Sequence, residues 1–122
     1  MSDEGQFSKK QLEAIRESRN VRRSLAFERH LLFFSIYLSH YIKYPLAPFH
    51  YKMFEVSENL EDGFIVLTAF RDSGKSTINT LSLPIWAIVG APRKKFVLIA
   101  SQTQAQAKYH LSKFHLLFHI FP

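Results

Sequence analysis

Residues 64–77 read FIVLTAFRDSGKST, and the fold turns on how they are understood. Phe64 to Ala69 is a continuous apolar, β-branched run with the length of a strand buried on both faces. A short polar loop follows, and from Ser76 to about Val89 the pattern is helical, with Pro84 expected to kink or interrupt it. Further on, FVLIAS, Phe96 to Ser101, repeats the strand signature. From Thr103 the chain reads as a helix with Ala107, Leu111, Phe114 and Phe118 on one face. The order strand, helix, strand, helix predicts an α/β unit with parallel strands and a right-handed crossover.

Upstream, LEDG (60–63) reads as a turn and Phe49 to Asn59 as a short helix. Pro45 and Pro48 bias the residues before them away from helix, so YPLAPFH reads as a link. Residues 8–23 form a polar, charged helix candidate. From Leu25 to about Tyr41 the chain turns apolar, with Leu31, Phe34, Leu38 and Tyr41 at helical spacing.

Of the 122 residues 47% are hydrophobic and 15% aromatic, ample for a core, so the chain is expected to fold rather than to be a disordered tail. A net charge of +6 favours polyanionic partners, nucleic acid or nucleotide first. Without cysteine there is neither a disulfide framework nor a thiolate metal site. The N-terminal MSDEGQFSKKQLEAIRESRN has no apolar core of the secretory kind, so the chain is expected not to be secreted. Leu31 to Ile42 is interrupted by Ser35, Ser39 and His40 and is shorter than the roughly 20 apolar residues of a membrane span. No membrane partner is expected.

The loop itself meets the Walker A pattern G-x-x-x-x-G-K-[ST] as Ala69-Phe70-Arg71-Asp72-Ser73-Gly74-Lys75-Ser76, with Ala69 in place of the first glycine. Between a strand end and a helix start, such a loop turns backbone N–H groups inward, and the helix N-terminus adds partial positive charge. Gly74 would let the backbone approach phosphate. Lys75 would reach the β- and γ-phosphates of ATP, and the Ser76 hydroxyl would enter the shell of Mg²⁺, with Thr77 a second hydroxyl candidate. The simpler alternative is a solvated turn with serine as a helix cap. The predicted fold is therefore α/β, a P-loop nucleoside-triphosphatase fold with a partial parallel sheet: residues 1–48 form a helical N-terminal section and 49–122 an incomplete P-loop ATPase domain.

From roughly Leu32 to Phe118 the chain resembles the large subunit of the terminase of tailed bacteriophages, the ATP-driven motor that packages double-stranded DNA into procapsids. The resemblance rests on APFHYKMFE, VLTAFRDSGKST, INTLSLPIWAIVGAPRKKFVLIASQTQAQAK and YHLSKFHLLF. It implies that Arg71 is an arginine finger acting in cis on the γ-phosphate, a role worth roughly 10³ to 10⁵ in rate. A surface arginine, paired with Asp72 or capped by solvent, is the other reading of Arg71. The resemblance further implies double-stranded viral DNA, the terminase small subunit, the portal or procapsid and the rest of the large subunit as partners, in the cytoplasm of the bacterial host. Many relatives carry an adenine-reading Gln before the loop; here the comparable place holds His50, flanked by Phe49 and Tyr51.

Hydrolysis in this class needs a strand ending in Asp-Glu, whose carboxylates orient Mg²⁺ and water. No Asp or Glu occurs from Ser73 to Pro122, so this stretch alone is expected to bind nucleotide weakly and hydrolyse it poorly or not at all. The chain reads as the N-terminal part of a longer protein, or its remnant. A helicase-like or other P-loop fragment, or a non-catalytic interaction fragment with a vestigial loop, are the competing readings. Two basic clusters, Arg16, Arg19, Arg22 and Arg23, and Arg93, Lys94 and Lys95, read either as DNA-backbone contacts or as solubilising surface. His110, His115 and His119 lie on the last helix; His115 and His119 have the i, i+4 spacing that can share a metal, but with Lys108 and Ser112 they read rather as a solvated face. Trp86, Phe33 and Phe34 read as core.

Overall fold

Ser8 starts the first helix: its hydroxyl accepts from Gln11 N–H at 3.3 Å, while the Gln11 side chain accepts from Ser8 N–H at 2.8 Å. The computed structural model describes residues 8–60 and 63–120, so the turn expected at 60–63 lies partly outside the described residues. Helix α1 (Lys9–Glu17) buries nothing. Ser18 ends it and caps α2 (Arg19–Glu28), accepting from Val21 N–H. The Arg22 guanidinium reaches back to the Ile15 and Arg16 carbonyls at 2.9 and 2.7 Å, placing a cation on the negative end of α1.

A second break, at Arg29, admits α3 (His30–Tyr37), which buries His30, Phe33 and Phe34. Its open N-terminus is capped from a distance. Glu58, the last residue of α4 (Pro48–Glu58), accepts from Leu31 N–H at 3.0 Å and pairs with Arg29 at 3.4 Å. Pro48 opens α4 at the position where its missing N–H costs nothing.

After the loop at 69–74 a helical run covers 75–89. Its middle, Thr77–Ser82, is a π turn, with Leu83 N–H donating to the Ile78 carbonyl five residues back, and α5 (Leu83–Val89) continues from it. The expected interruption at Pro84 thus takes the form of a wider turn just before it. A proline leaves one helical carbonyl without a donor, and the π register shifts the pairing at that point. Helix α6 (Gln104–Ile120) completes the described chain.

Phe34, Leu38, Phe54, Ile78, Ile85, Trp86 and Leu117 form one core drawn from α3, α4, the 75–89 run and α6. Full burial of each large apolar side chain contributes roughly 1.5–3 kcal/mol. Trp86 Nε1–H is satisfied by the Ala26 carbonyl at 3.1 Å, which ties α2 to the same core. Trp86, Phe33 and Phe34 are core residues, as their apolar neighbours suggest.

The α/β expectation is overturned: among the described residues the secondary structure is entirely helical, and no strand or sheet forms. Phe64–Ala69 and Phe96–Ser101, expected as buried parallel strands, run without pairing. Phe64 is 91% exposed, Val66 70%, and Phe96 and Leu98 78% each. A strand buried on both faces needs a neighbour for every backbone N–H and C=O, and neither run supplies one for the other. In the second run Val97 and Ile99 instead face a cavity shared with Ile85, Ile88 and Phe114, leaving the alternate residues to water. The apolar face of α6 also differs from expectation: Leu111 is exposed while Leu117 is buried, and the side chains of Phe118 and His119 lie outside the described residues.

Candidate phosphate-binding loop

The Walker A segment keeps a turn-to-helix geometry although no strand leads into it. Ser73 N–H donates to the Phe70 carbonyl at 3.3 Å, closing a turn over 70–73. Asp72 at φ +61° and Gly74 at φ +82° both occupy left-handed backbone, which Asp tolerates and Gly adopts freely. The Gly74 carbonyl then accepts from Ile78 N–H at 3.0 Å, the first bond of the helical run. As at any helix start, the leading N–H groups, here of Lys75, Ser76 and Thr77, have no carbonyl within the helix to serve.

Lys75 is half-buried and its Nζ donates to the Ala69 carbonyl at 2.9 Å, so the ammonium lies across the loop's own backbone. Asn79 Nδ2 donates to the Lys75 carbonyl at 3.1 Å. Ser73 is 3% exposed, and its Oγ has no hydrogen-bond partner among the described residues. A buried hydroxyl in that state costs about 1–3 kcal/mol unless something else meets it. Ser76 is exposed and Thr77 half-buried. Phe70, Arg71 and Asp72 face solvent, and Arg71 forms no ion pair with Asp72, so of the two forms of a surface arginine the solvent-capped one is seen.

The loop is held from α4. His50 Nδ1 accepts from Ala47 N–H at 2.9 Å, which requires the proton on Nε2, and Nε2–H donates to the Ser73 carbonyl at 2.7 Å. Phe49 meets Phe70 edge-on with centroids 5.4 Å apart. His50, at the place where many relatives of the resembled family carry an adenine-reading Gln, is a buttress of the loop. Its position three residues into a helix that opens on Ala47 is the sequence signal for the Nδ1 bond; nothing local signals the Nε2 bond to Ser73.

Phosphate chemistry fits this donor set: free first-turn N–H groups, a glycine with φ +82°, an ammonium 2.9 Å from the loop carbonyl and an unsatisfied serine hydroxyl. For Mg²⁺ the loop offers Ser76, and no group of three or more His, Asp or Glu that could hold a metal ion occurs among the described residues. When bound, nucleotide with Mg²⁺ would supply a phosphoanhydride and its charge-neutralising cation.

A second polar centre, unforeseen in the sequence, lies beneath the core. His30 is fully buried, stacked on Trp86 at 5.3 Å and edge-on to Phe54 at 4.9 Å. Ser57 Oγ–H donates to the Phe54 carbonyl at 2.8 Å, so it accepts from His30 Nδ1–H, and Ser82 Oγ–H donates to Nε2 at 2.8 Å. Burial holds the imidazole neutral, lowering its pKa from 6.5 to about 3. Among the described residues no helix is long and apolar enough to cross a membrane. Comparison with known protein families, curated proteins and solved structures finds no match.

Proposed function

We propose that residues 69–77 bind the polyphosphate of ATP with Mg²⁺, and that the chain is the N-terminal ATP-binding portion of a phage terminase large subunit. The observation that carries the reading is the loop's local geometry: two left-handed residues, Asp72 and Gly74, turn the chain directly into a helical run headed by Lys75 and Ser76. The support is confined to the loop and the terminase-like stretches around it; none comes from a sheet. In this reading Gly74 and the first-turn N–H groups take the phosphates, Lys75 leaves the Ala69 carbonyl for the β- and γ-oxygens, and Ser76 faces the cation. Arg71, exposed and without an ion pair among the described residues, would swing toward the γ-phosphate.

With no carboxylate after Asp72, this stretch binds and positions nucleotide without turning it over. Packaging of double-stranded DNA, contact with the small subunit and the portal, and a place in the host cytoplasm follow from the resemblance as parts of the same proposal. Competition with a fluorescent ATP analogue tests it. ADP and ATP should displace the analogue and AMP should not, because the loop reads the distal phosphates; equal competition by AMP would sink the assignment.

A further inference from the structure

A broad open groove lies away from the loop, where α2 meets the turn after α5. Ala91 N–H donates to the Phe27 carbonyl and Lys94 N–H to the Ala87 carbonyl, both at 2.7 Å. These bonds hold Arg93 in left-handed backbone, φ +46°, with its guanidinium 5.3 Å over the Phe27 ring. Two basic clusters some seventy residues apart in the chain, judging by the span from Arg19 to Arg93, are thereby joined across one groove of about 860 Å³.

Arg19, Arg22, Arg23 and Arg93 line the groove, against a single carboxylate, Glu28. Arg22 is committed to the α1 carbonyls, whereas Arg23 and Arg93 have no ion pair among the described residues. The floor is apolar: Phe27 and Val89 remain partly exposed beside buried Ile85. Arginine with aromatic residues around an apolar floor is the composition of a protein-interface centre.

We propose that this groove receives an acidic amphipathic helix of a partner protein. The charge complementarity sets the sign, and the floor sets the class. Duplex DNA brings phosphates to the arginines but no apolar face to cover Phe27 and Val89, whereas a helix about 10 Å across lays an apolar stripe on the floor and carboxylates against the rim. The proposal is independent of the nucleotide reading, since neither the groove nor its bonds include residues 69–77.

The test uses the full chain and a labelled designed helix with Leu and Phe on one face and Glu on the other, followed by fluorescence anisotropy. A twin with Lys for every Glu and a duplex DNA are the comparison ligands. The acidic helix should bind and its basic twin should not. Affinity should fall at least about tenfold in the Arg23→Glu/Arg93→Glu double variant and in Val89→Asp, but not in the charge control Lys108→Glu. Circular dichroism identifies any variant that fails to fold, and the arginine pair, being on the surface, carries the test if Val89→Asp does. Unchanged affinity in a folded double variant, or equal binding of the basic twin, overturns the proposal. So does duplex DNA that displaces the helix and is indifferent to Val89→Asp, because the groove would then be a phosphate surface. ATP-analogue binding by the double variant should stay at the wild-type level, which separates this surface from the loop.

Discussion

His30 has both ring nitrogens satisfied by serines, one face stacked on Trp86 and an edge contact with Phe54, so its proton balance is written into the fold. Below pH 6.5 the unfolded chain takes up a proton on this residue, while the folded chain refuses it until about pH 3. The lowered folded value therefore makes stability fall as pH drops from 6.5 toward 3, by at most about 1.4 kcal/mol per pH unit. Denaturant midpoints taken across that window should show a steeper loss in wild type than in His30→Gln, which starts lower but does not titrate there. Parallel curves would mean that His30 is not buried neutral. At this scale the sequence reveals residue types more readily than their partners. The pattern match at Gly74, Lys75 and Ser76 is legible from spacing alone, and their role is a proposal. The bonds of His50 to Ser73 and of His30 to Ser57 and Ser82 join positions 23, 27 and 52 apart, and no local pattern announces them.

Among elements, helices are well forecast where an apolar stripe or a cap marks them: Pro48 opens α4, and the helical run 75–89 follows the loop. The two N-terminal breaks are not forecast. Ser18 and Arg29 interrupt an amphipathic pattern that continues across them, and the second break is stable because Glu58, brought from α4, serves the bare N-terminus of α3. Glu58→Ala should accordingly cost about 1–2 kcal/mol, as losing a helix cap does. The check is thermal or chemical denaturation beside Glu55→Ala, whose partner Lys52 is an exposed neighbour on the same helix. Equal, small effects of the two substitutions would show that Glu58 does not cap α3. Phe64–Ala69 and Phe96–Ser101 were misread for a related reason. A continuous apolar run states that a segment could be buried, and only partner strands could make it a sheet.

For the whole molecule, the consequence of those unpaired runs is an apolar surface with open backbone groups, displayed at Phe64, Val66, Phe96 and Leu98. Such segments template association between copies. Val66→Lys with Leu98→Lys should raise the soluble concentration of the chain and reduce light scattering without lowering its thermal midpoint, since neither side chain belongs to the core. A drop in the midpoint would place these residues in packing instead. The helical body, through His50 and Phe49, holds the segment proposed here as a phosphate cradle. Isothermal titration of the wild-type chain and of Lys75→Ala with Mg·ATP, side by side, is the most direct test of that claim. Measurable binding by the wild type that weakens at least about tenfold in Lys75→Ala is the expected result, equivalent to about 1.4 kcal/mol. Equal heats and equal affinities for the two proteins would contradict it, and residues 69–77 would then be an ordinary helix-capping turn.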